Sequence, residues 1–233
     1  MSDIQDKMRS DWNKRARLNA RKYVALGDWK TEKKFYESGK VDARKVLRDI
    51  RIDNNWIILD FGVGVGRILR HLCNYFKEIY GVDVSDEMVR LSKFQLKEFK
   101  NAKIFQNRAD LSFFSSDKFN FVYSCYVFQH IPKKIFVKYL AEIHRILKPD
   151  GLLRFQIFEK QKMLNLIPWF WLRNLRQGHL KFWQSPPDND SWIARSYSRD
   201  ELSLILKKEF DVIQMENLNK REGDLWVTAK VKK

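Results

Sequence analysis

Apolar and polar positions alternate along this chain with periods that predict helices and strands in turn. Two N-terminal segments, residues 3–26 and 29–50, have helical periodicity and are separated by Gly27. The strands predicted after them are 56–61, 78–82, 103–107, 119–124, 152–158, 212–218 and 225–231, and the predicted helices are 67–76, 86–99, 133–147 and one that starts near 197. This alternation is typical of a parallel sheet covered by helices on both faces.

Three glycines follow the first predicted strand, in the stretch D-F-G-V-G-V-G at residues 60–66. They connect a buried strand to a helix, which is where open α/β sheets bind ligands. Gly62 permits a tight turn, Gly64 lets a ligand approach the backbone, and Gly66 lets the helix pack closely. A dinucleotide fingerprint needs glycine or alanine where Arg67 stands, and no phosphate-binding G-K-[ST] is present, so neither of those motifs matches.

The glycine stretch resembles the first motif of class I S-adenosylmethionine-dependent methyltransferases. A second stretch, G-V-D-V-S at residues 81–85, places Asp83 at the end of the second strand, 17 residues beyond Gly66. In the resembling family this carboxylate binds the ribose hydroxyls of the cofactor. The resemblance implies S-adenosylmethionine as cofactor and a doubly wound, mostly parallel seven-stranded sheet, with the last strand antiparallel and helices on both faces.

The same resemblance predicts further cofactor contacts along the chain. Asp110 and Leu111 stand where the family contacts adenine, and Met88 stands where an apolar side chain packs on it, although helix-core packing explains Met88 equally well. Cys125 is expected to pass the cofactor with its backbone, and Arg44 to meet the cofactor carboxylate. The predicted cofactor-binding residues are Asp60, Gly62, Gly64, Gly66, Asp83, Val84, Met88, Asp110, Leu111, Cys125 and Arg44.

The implied reaction is an in-line displacement at a methyl carbon, which needs alignment, desolvation and, for some acceptors, removal of a proton. Metal-ligand spacing is missing from the sequence, so no metal is expected. His130 follows the carboxyl end of a central strand, and the near-neutral titration of histidine suits a general base. A turn histidine bonded to backbone is an equally good interpretation.

An aromatic insertion, residues 159–195, follows the fifth strand and is the part least like the family. It is predicted to form a lid in which Trp169 and Trp171, together with Tyr197 beyond it, bind substrate. A peripheral membrane contact through residues 163–176 and a small satellite core are the alternatives. Residues 1–50 are predicted to form a helical cap, with Trp12, Tyr23, Trp29 and Phe35 closing over the cofactor, and residues 51–233 the methyltransferase domain.

The net charge of +16 divides as +6, +6 and +4 over residues 1–55, 56–158 and 159–233. An even spread of this kind indicates a solvated surface and disfavours nucleic acid as the partner. The polar N-terminus and two isolated cysteines favour a cytoplasmic protein. The expected function is methyl transfer to an oxygen, nitrogen or carbon atom of a small, partly hydrophobic molecule, with the oligomeric state left open. An RNA methyltransferase and a non-catalytic S-adenosylmethionine-binding partner subunit are the alternatives.

Overall fold

The computed structural model describes residues 2–25, 29–107, 110–160, 194–218 and 223–232. One sheet forms its centre, with the strand order β3-β2-β1-β4-β5-β8-β7 and a two-residue strand, β6, paired to β5. Strands β1 to β5 pair in parallel, whereas β8 runs antiparallel to both β5 and β7. The strands are β1 Ile57–Phe61, β2 Glu78–Asp83, β3 Ala102–Gln106, β4 Phe119–Ser124, β5 Leu147–Glu159, β6 Ser196–Tyr197, β7 Phe210–Glu216 and β8 Asp224–Val231.

Helices cover both faces of this sheet because alternate strand residues point to opposite sides. On β4, Val122 belongs to the apolar cluster under one helical layer, whereas its neighbours Phe121 and Tyr123 belong to the cluster under the other. The helices are α1 Ser2–Val24, α2 Glu32–Leu47, α3 Leu69–Leu72, α4 Asp86–Gln95, α5 Lys133–Ile146 and α6 Arg199–Leu206, with a short 3-10 helix at Phe128–His130. The predicted fold class, including the antiparallel last strand, is confirmed.

Several predicted boundaries are corrected. The helix predicted over 67–76 shortens to α3, and the one predicted over 86–99 ends at Gln95. The turn predicted after α5 lies inside β5. The pairing of β5 with β4 is irregular at this point, and Asp150 has a φ of 67°. Tyr197 lies in β6, and α6 begins only at Arg199, because the hydroxyl of Ser198 caps it by accepting the Glu201 N–H.

Helix α1 has two segments that join at Asn19, where φ is −169° and ψ is 84°. The side chain of Asn19 accepts the N–H of Lys22, so it caps the second segment. Asn13 attaches the first segment to the start of α4, because its side-chain oxygen accepts the Ser85 hydroxyl at 2.6 Å and its amide donates to Asp86. This attachment holds α1 over the carboxyl edge of the sheet.

Two features of the sequence lie outside the described residues. They are the predicted break at Gly27 and most of the 159–195 insertion, including Trp169, Trp171 and the 163–176 segment. Within the described ranges, none of the helices has the length and apolar character needed to cross a bilayer.

Candidate active site

A cavity lies at the carboxyl ends of β1, β2 and β4, beneath α1. The cavity itself has a volume of about 90 Å³, and the unfilled space in and around it, which includes open solvent, is about 700 Å³. The described residues that line it are Met8, Trp12, Tyr23, Val24, Phe61, Gly62, Gly64, Val82, Asp83, Val84, Met88, Asn107, Cys125, Tyr126, Val127, His130, Ile131 and Tyr139. Six predicted cofactor residues therefore meet here, together with the predicted base.

The glycine loop turns sharply into this cavity. Gly62 has a φ of 90°, and its N–H donates to the Val82 carbonyl at 2.8 Å. A Cβ at this position would lie 2.2 Å from a methyl group of Val127, so no side chain fits without displacement. Gly64, with a φ of 54°, turns its N–H toward β2 and donates to Asp83 at 3.0 Å. The loop thus needs glycine for both backbone conformation and space.

Asp83 receives hydrogen bonds from two strand-end loops. One carboxylate oxygen accepts the Gly64 N–H, and the other accepts the Ser85 N–H at 2.9 Å. Burial raises the pKa of this carboxyl to about 6, and the backbone N–H groups of Ser85, Gly64 and Val84 oppose that rise. The side chain keeps part of its surface open to the cavity. It therefore retains lone pairs for hydroxyl groups of a bound ligand.

Arg67 replaces the third glycine of a dinucleotide motif and has a structural partner on α2. Its guanidinium is buried and donates to Asp42 at 2.7 Å and to the Ser38 hydroxyl at 3.0 Å. A Cβ on Gly39 would lie 2.2 Å from the Arg67 carbonyl oxygen, so α2 packs directly on the backbone here. The ion pair fixes the end of the glycine loop against α2.

Asp60, the acid of the first motif, lies on the side of β1 that faces away from the cavity. It is buried, and the hydroxyl of Tyr123 donates to it at 2.7 Å. Burial raises the pKa of this carboxyl to about 7, although the Tyr123 hydrogen bond lowers it. Asp60 is therefore placed to support the strand under the loop rather than to touch a ligand.

This shifted pKa predicts a pH-dependent stability. The folded state holds the Asp60 proton up to about pH 7, whereas the unfolded chain loses it near the ordinary value of 3.8, so the free energy of unfolding falls as pH rises between these values. Asp83, whose pKa is raised to about 6, acts in the same direction. We expect Asp60→Asn, which still accepts from Tyr123, to flatten this fall and to raise stability above that of the wild type at about pH 8.

Urea unfolding at about pH 5 and pH 8 measures this difference. Asp110→Asn is the matched control, because Asp110 is exposed and hydrogen bonds from Ser112 lower its pKa. An Asp60→Asn protein with the same pH slope as the wild type would contradict the assignment.

His130 and helix α1 form the other side of the cavity. His130 ends the 3-10 helix, and its ring meets that of Trp12 edge to face at a centroid distance of 5.5 Å. Trp12 and Tyr23 line the cavity, and Met8 and Val24 join them. Trp29 and Phe35, the other two residues predicted to close over the cofactor, pack on each other at a centroid distance of 5.6 Å and are not among the described lining residues. The contribution of Met8 and Val24 was not evident in the sequence, because it depends on how α1 docks through Asn13.

Two residues at the end of β4 also line the cavity. Cys125 is buried, and burial raises the pKa of its thiol well above the ordinary value. Tyr126 has a φ of 63°, and its N–H donates to the buried side chain of Gln156 at 3.1 Å. Gln156 donates in turn to Asp224. This chain of hydrogen bonds holds a backbone conformation that is uncommon outside glycine.

Some predicted site residues lie elsewhere, and none of them is among the described residues that line the cavity. Asp110 is exposed and accepts from Ser112. Leu111 is buried, with its carbonyl accepting from Arg145, and Tyr197 packs on Phe136 in the core. Arg44 is exposed on α2. Gly66 and Asp60 are buried and do not line the cavity. Asn107, at the end of β3, is the lining residue nearest in sequence to Asp110.

Comparison with known proteins agrees with this architecture. Residues 58–151 match the family profile described as "Methyltransferase domain". The chain is 25% identical over 143 residues to the cyclopropane-fatty-acyl-phospholipid synthase of Escherichia coli, and 31% identical over 97 residues to phosphoethanolamine N-methyltransferase 2 of Caenorhabditis elegans. The first match covers 60% of this chain and the second covers 40%. They cover only 36% and 22% of the two relatives, so this chain spans a minor part of the length of each relative.

Among solved structures, magnesium protoporphyrin IX methyltransferase from Synechocystis with bound S-adenosylhomocysteine superposes with a TM-score of 0.68 at 16% identity. That match covers 96% of this chain and 98% of the other. Residues 58–151 thus resemble a methyltransferase domain, in agreement with the fold.

The methyltransferase domain contains both motifs on which the resemblance was based, the glycine loop and Asp83. S-adenosylmethionine is the methyl donor of this family, so the predicted family resemblance and the predicted cofactor are confirmed. The profile covers residues 58–151 only, so α1, α2 and the strands after β5 lie outside the match.

Proposed function

We propose that this protein transfers a methyl group from S-adenosylmethionine to a small, partly hydrophobic molecule bound in the cavity. The main support for this proposal is that Gly62, Asp83 and His130 all line one cavity. Apolar side chains such as Met8, Trp12 and Ile131 line the same space, and they favour an acceptor with apolar surface.

The donor side fits the residues around Asp83. When bound, S-adenosylmethionine supplies an electrophilic methyl carbon on a sulfonium. Asp83 would accept the ribose hydroxyl protons, since its oxygens are held by Gly64 and Ser85 and remain open to the cavity. Met88 lines the cavity from α4, and Val84 lies between it and Asp83. Gly62 and Gly64 line the cavity, so a ligand can approach the backbone of the loop there.

The acceptor side lies between His130 and α1. His130 would take a proton from a hydroxyl or phenol acceptor as the new bond forms, and Trp12 holds the imidazole ring from the side. A neutral amine would need orientation only. Residues 1–50 act in this proposal as the cap over the cavity, and the aromatic insertion with Trp169 and Trp171 as a lid on the substrate.

Cofactor binding provides the direct test. Asp83→Ala is expected to weaken the affinity for S-adenosylhomocysteine by about 2 to 3 kcal/mol, or about 30- to 150-fold, because it removes a pair of charge-assisted hydrogen bonds. Isothermal titration calorimetry on the full chain measures this. Asp110→Ala is the matched control, since Asp110 is exposed and away from the cavity. Equal dissociation constants for the wild type and Asp83→Ala would overturn the assignment.

The acceptor can be found by transfer of an isotope-labelled methyl group to small molecules of a cell extract, followed by mass spectrometry. A labelled product that forms with the wild type and not with Asp83→Ala supports the proposal. Absence of any labelled product, with cofactor binding intact, would favour a non-catalytic binding protein instead.

A further inference from the structure

The outer face of helix α1 carries a dense basic surface. Residues 12–24 contain five basic side chains and no acidic one. Four of the five are exposed, and Leu18 lies among them with 66% of its surface exposed. We call this surface the α1 basic face, and its residues are Lys14, Arg17, Leu18, Arg21 and Lys22.

The charge of this face is not neutralised by neighbouring acids. Earlier turns of α1 form ion pairs, Lys7 with Asp11 and Arg9 with Asp6. In the described part of the chain, by contrast, the four basic residues of the α1 basic face have no acidic side chain within salt-bridge distance. Glu87 interacts with Arg17 at longer range, but it is bonded to Arg90 at 2.7 Å. The face therefore offers net positive charge to a partner.

In the first segment of α1, Met8 and Trp12 lie on the side opposite to Lys14 and line the cavity, and Tyr23 and Val24 of the second segment line it as well. Any partner bound to the α1 basic face would consequently lie next to the cavity. Clustered lysine and arginine attract anionic lipid headgroups, and an exposed leucine among them can enter the boundary between headgroups and acyl chains. Single-stranded RNA is usually held by aromatic side chains as well as charge, whereas the exposed apolar residue of this face is Leu18.

We propose that the α1 basic face docks the protein on an anionic lipid bilayer. This goes beyond methyl transfer and does not depend on it, because the docking surface lies outside the cavity. Docking would bring the roofed cavity to the bilayer surface, where amphipathic acceptors concentrate.

Vesicle sedimentation with the full chain tests the docking. We expect binding to vesicles of phosphatidylglycerol and phosphatidylcholine, no binding to pure phosphatidylcholine, and weaker binding as salt rises. The variant Lys14→Gln/Arg17→Gln/Arg21→Gln should lower the partition coefficient at least about tenfold. Its matched control is Lys77→Gln/Lys100→Gln/Lys208→Gln, which removes the same charge from exposed positions that precede β2, β3 and β7, at the other edge of the sheet.

Two further variants distinguish docking on a bilayer from a folding defect and from RNA binding. Lys14→Arg/Arg17→Lys/Arg21→Lys keeps the charge and should keep binding, which excludes a folding defect as the cause. Leu18→Ser keeps the charge but should weaken vesicle binding, while leaving any binding to polyuridylate unchanged. The proposal is overturned if anionic vesicles are not bound, if the two neutralised variants lose binding equally, or if the α1 variant loses RNA binding instead.

Discussion

Gly62→Ala is expected to lower the free energy of unfolding by roughly 2 to 5 kcal/mol. Two effects add at this position. A φ of 90° is unfavourable for any residue with a side chain, and the new Cβ would lie 2.2 Å from a methyl group of Val127. Neither Val127 nor the loop can move freely, because the Gly62 N–H is held by the Val82 carbonyl and the 3-10 helix follows Val127 directly.

Gly223 provides the matched control for this prediction. Its φ of 103° is equally unfavourable for alanine, yet no atom of the described residues lies within 4 Å of its virtual Cβ. Gly223→Ala should therefore lose only the backbone contribution, about 1 to 2 kcal/mol. Urea unfolding of both proteins measures the difference. If the close contact is the cause, adding Val127→Ala to Gly62→Ala should recover part of the loss; equal destabilisation by the two glycine substitutions would contradict this.

His130→Ala is expected to lower kcat by about 10²- to 10⁴-fold for an acceptor that must lose a proton. The affinity for S-adenosylhomocysteine should stay nearly unchanged, because proton transfer is felt only in the transition state. Any dependence of kcat on pH that proton transfer to His130 causes should disappear with the imidazole. Steady-state kinetics with the labelled acceptor, over about pH 6 to 9, together with calorimetry for the affinity, measure all three quantities.

His144→Ala is the control for the loss of a histidine. His144 is part-buried on α5, where it lies 3.6 Å from Glu209 and packs on Phe210, and it does not line the cavity. Its replacement should leave kcat within about twofold of the wild type. If His130→Ala also retains full kcat across the pH range, His130 is a turn histidine and proximity alone accounts for the rate.

The strands were the part of the fold that the sequence predicted best. Residues 119–124 form β4 with the predicted bounds, since a run of six residues is short for a helix and its aromatic and β-branched side chains favour a strand. Helix ends were predicted less well: α3 is four residues long because much of the chain after the glycine loop forms turns. The two-residue β6 gives no periodic signal at all, and the Pro149-Asp150-Gly151 stretch is a turn pattern that the sheet absorbs into β5.

Asp83 and Asp110 show how far the site could be predicted. Asp83 ends its strand, and the carboxyl ends of parallel strands meet at one edge of the sheet. Its position at that edge therefore follows from the strand prediction. Asp110 lies four residues beyond the end of β3, in a loop whose path the spacing does not determine, and its side chain turns to Ser112. The position of the roof residues Met8 and Val24 depends on contacts between distant parts of the chain, such as the hydrogen bond from Ser85 to Asn13, which spans 72 positions.

A cysteine thiol in a cavity that binds an electrophilic methyl donor can itself become methylated, and Cys125 lines this cavity. A thiolate in this cavity would be a strong nucleophile beside the donor and would compete with the intended acceptor. Burial keeps the thiol pKa well above its ordinary value, so the sulfur stays protonated and poorly reactive. The apolar surroundings of Cys125 thus protect the protein against alkylating itself.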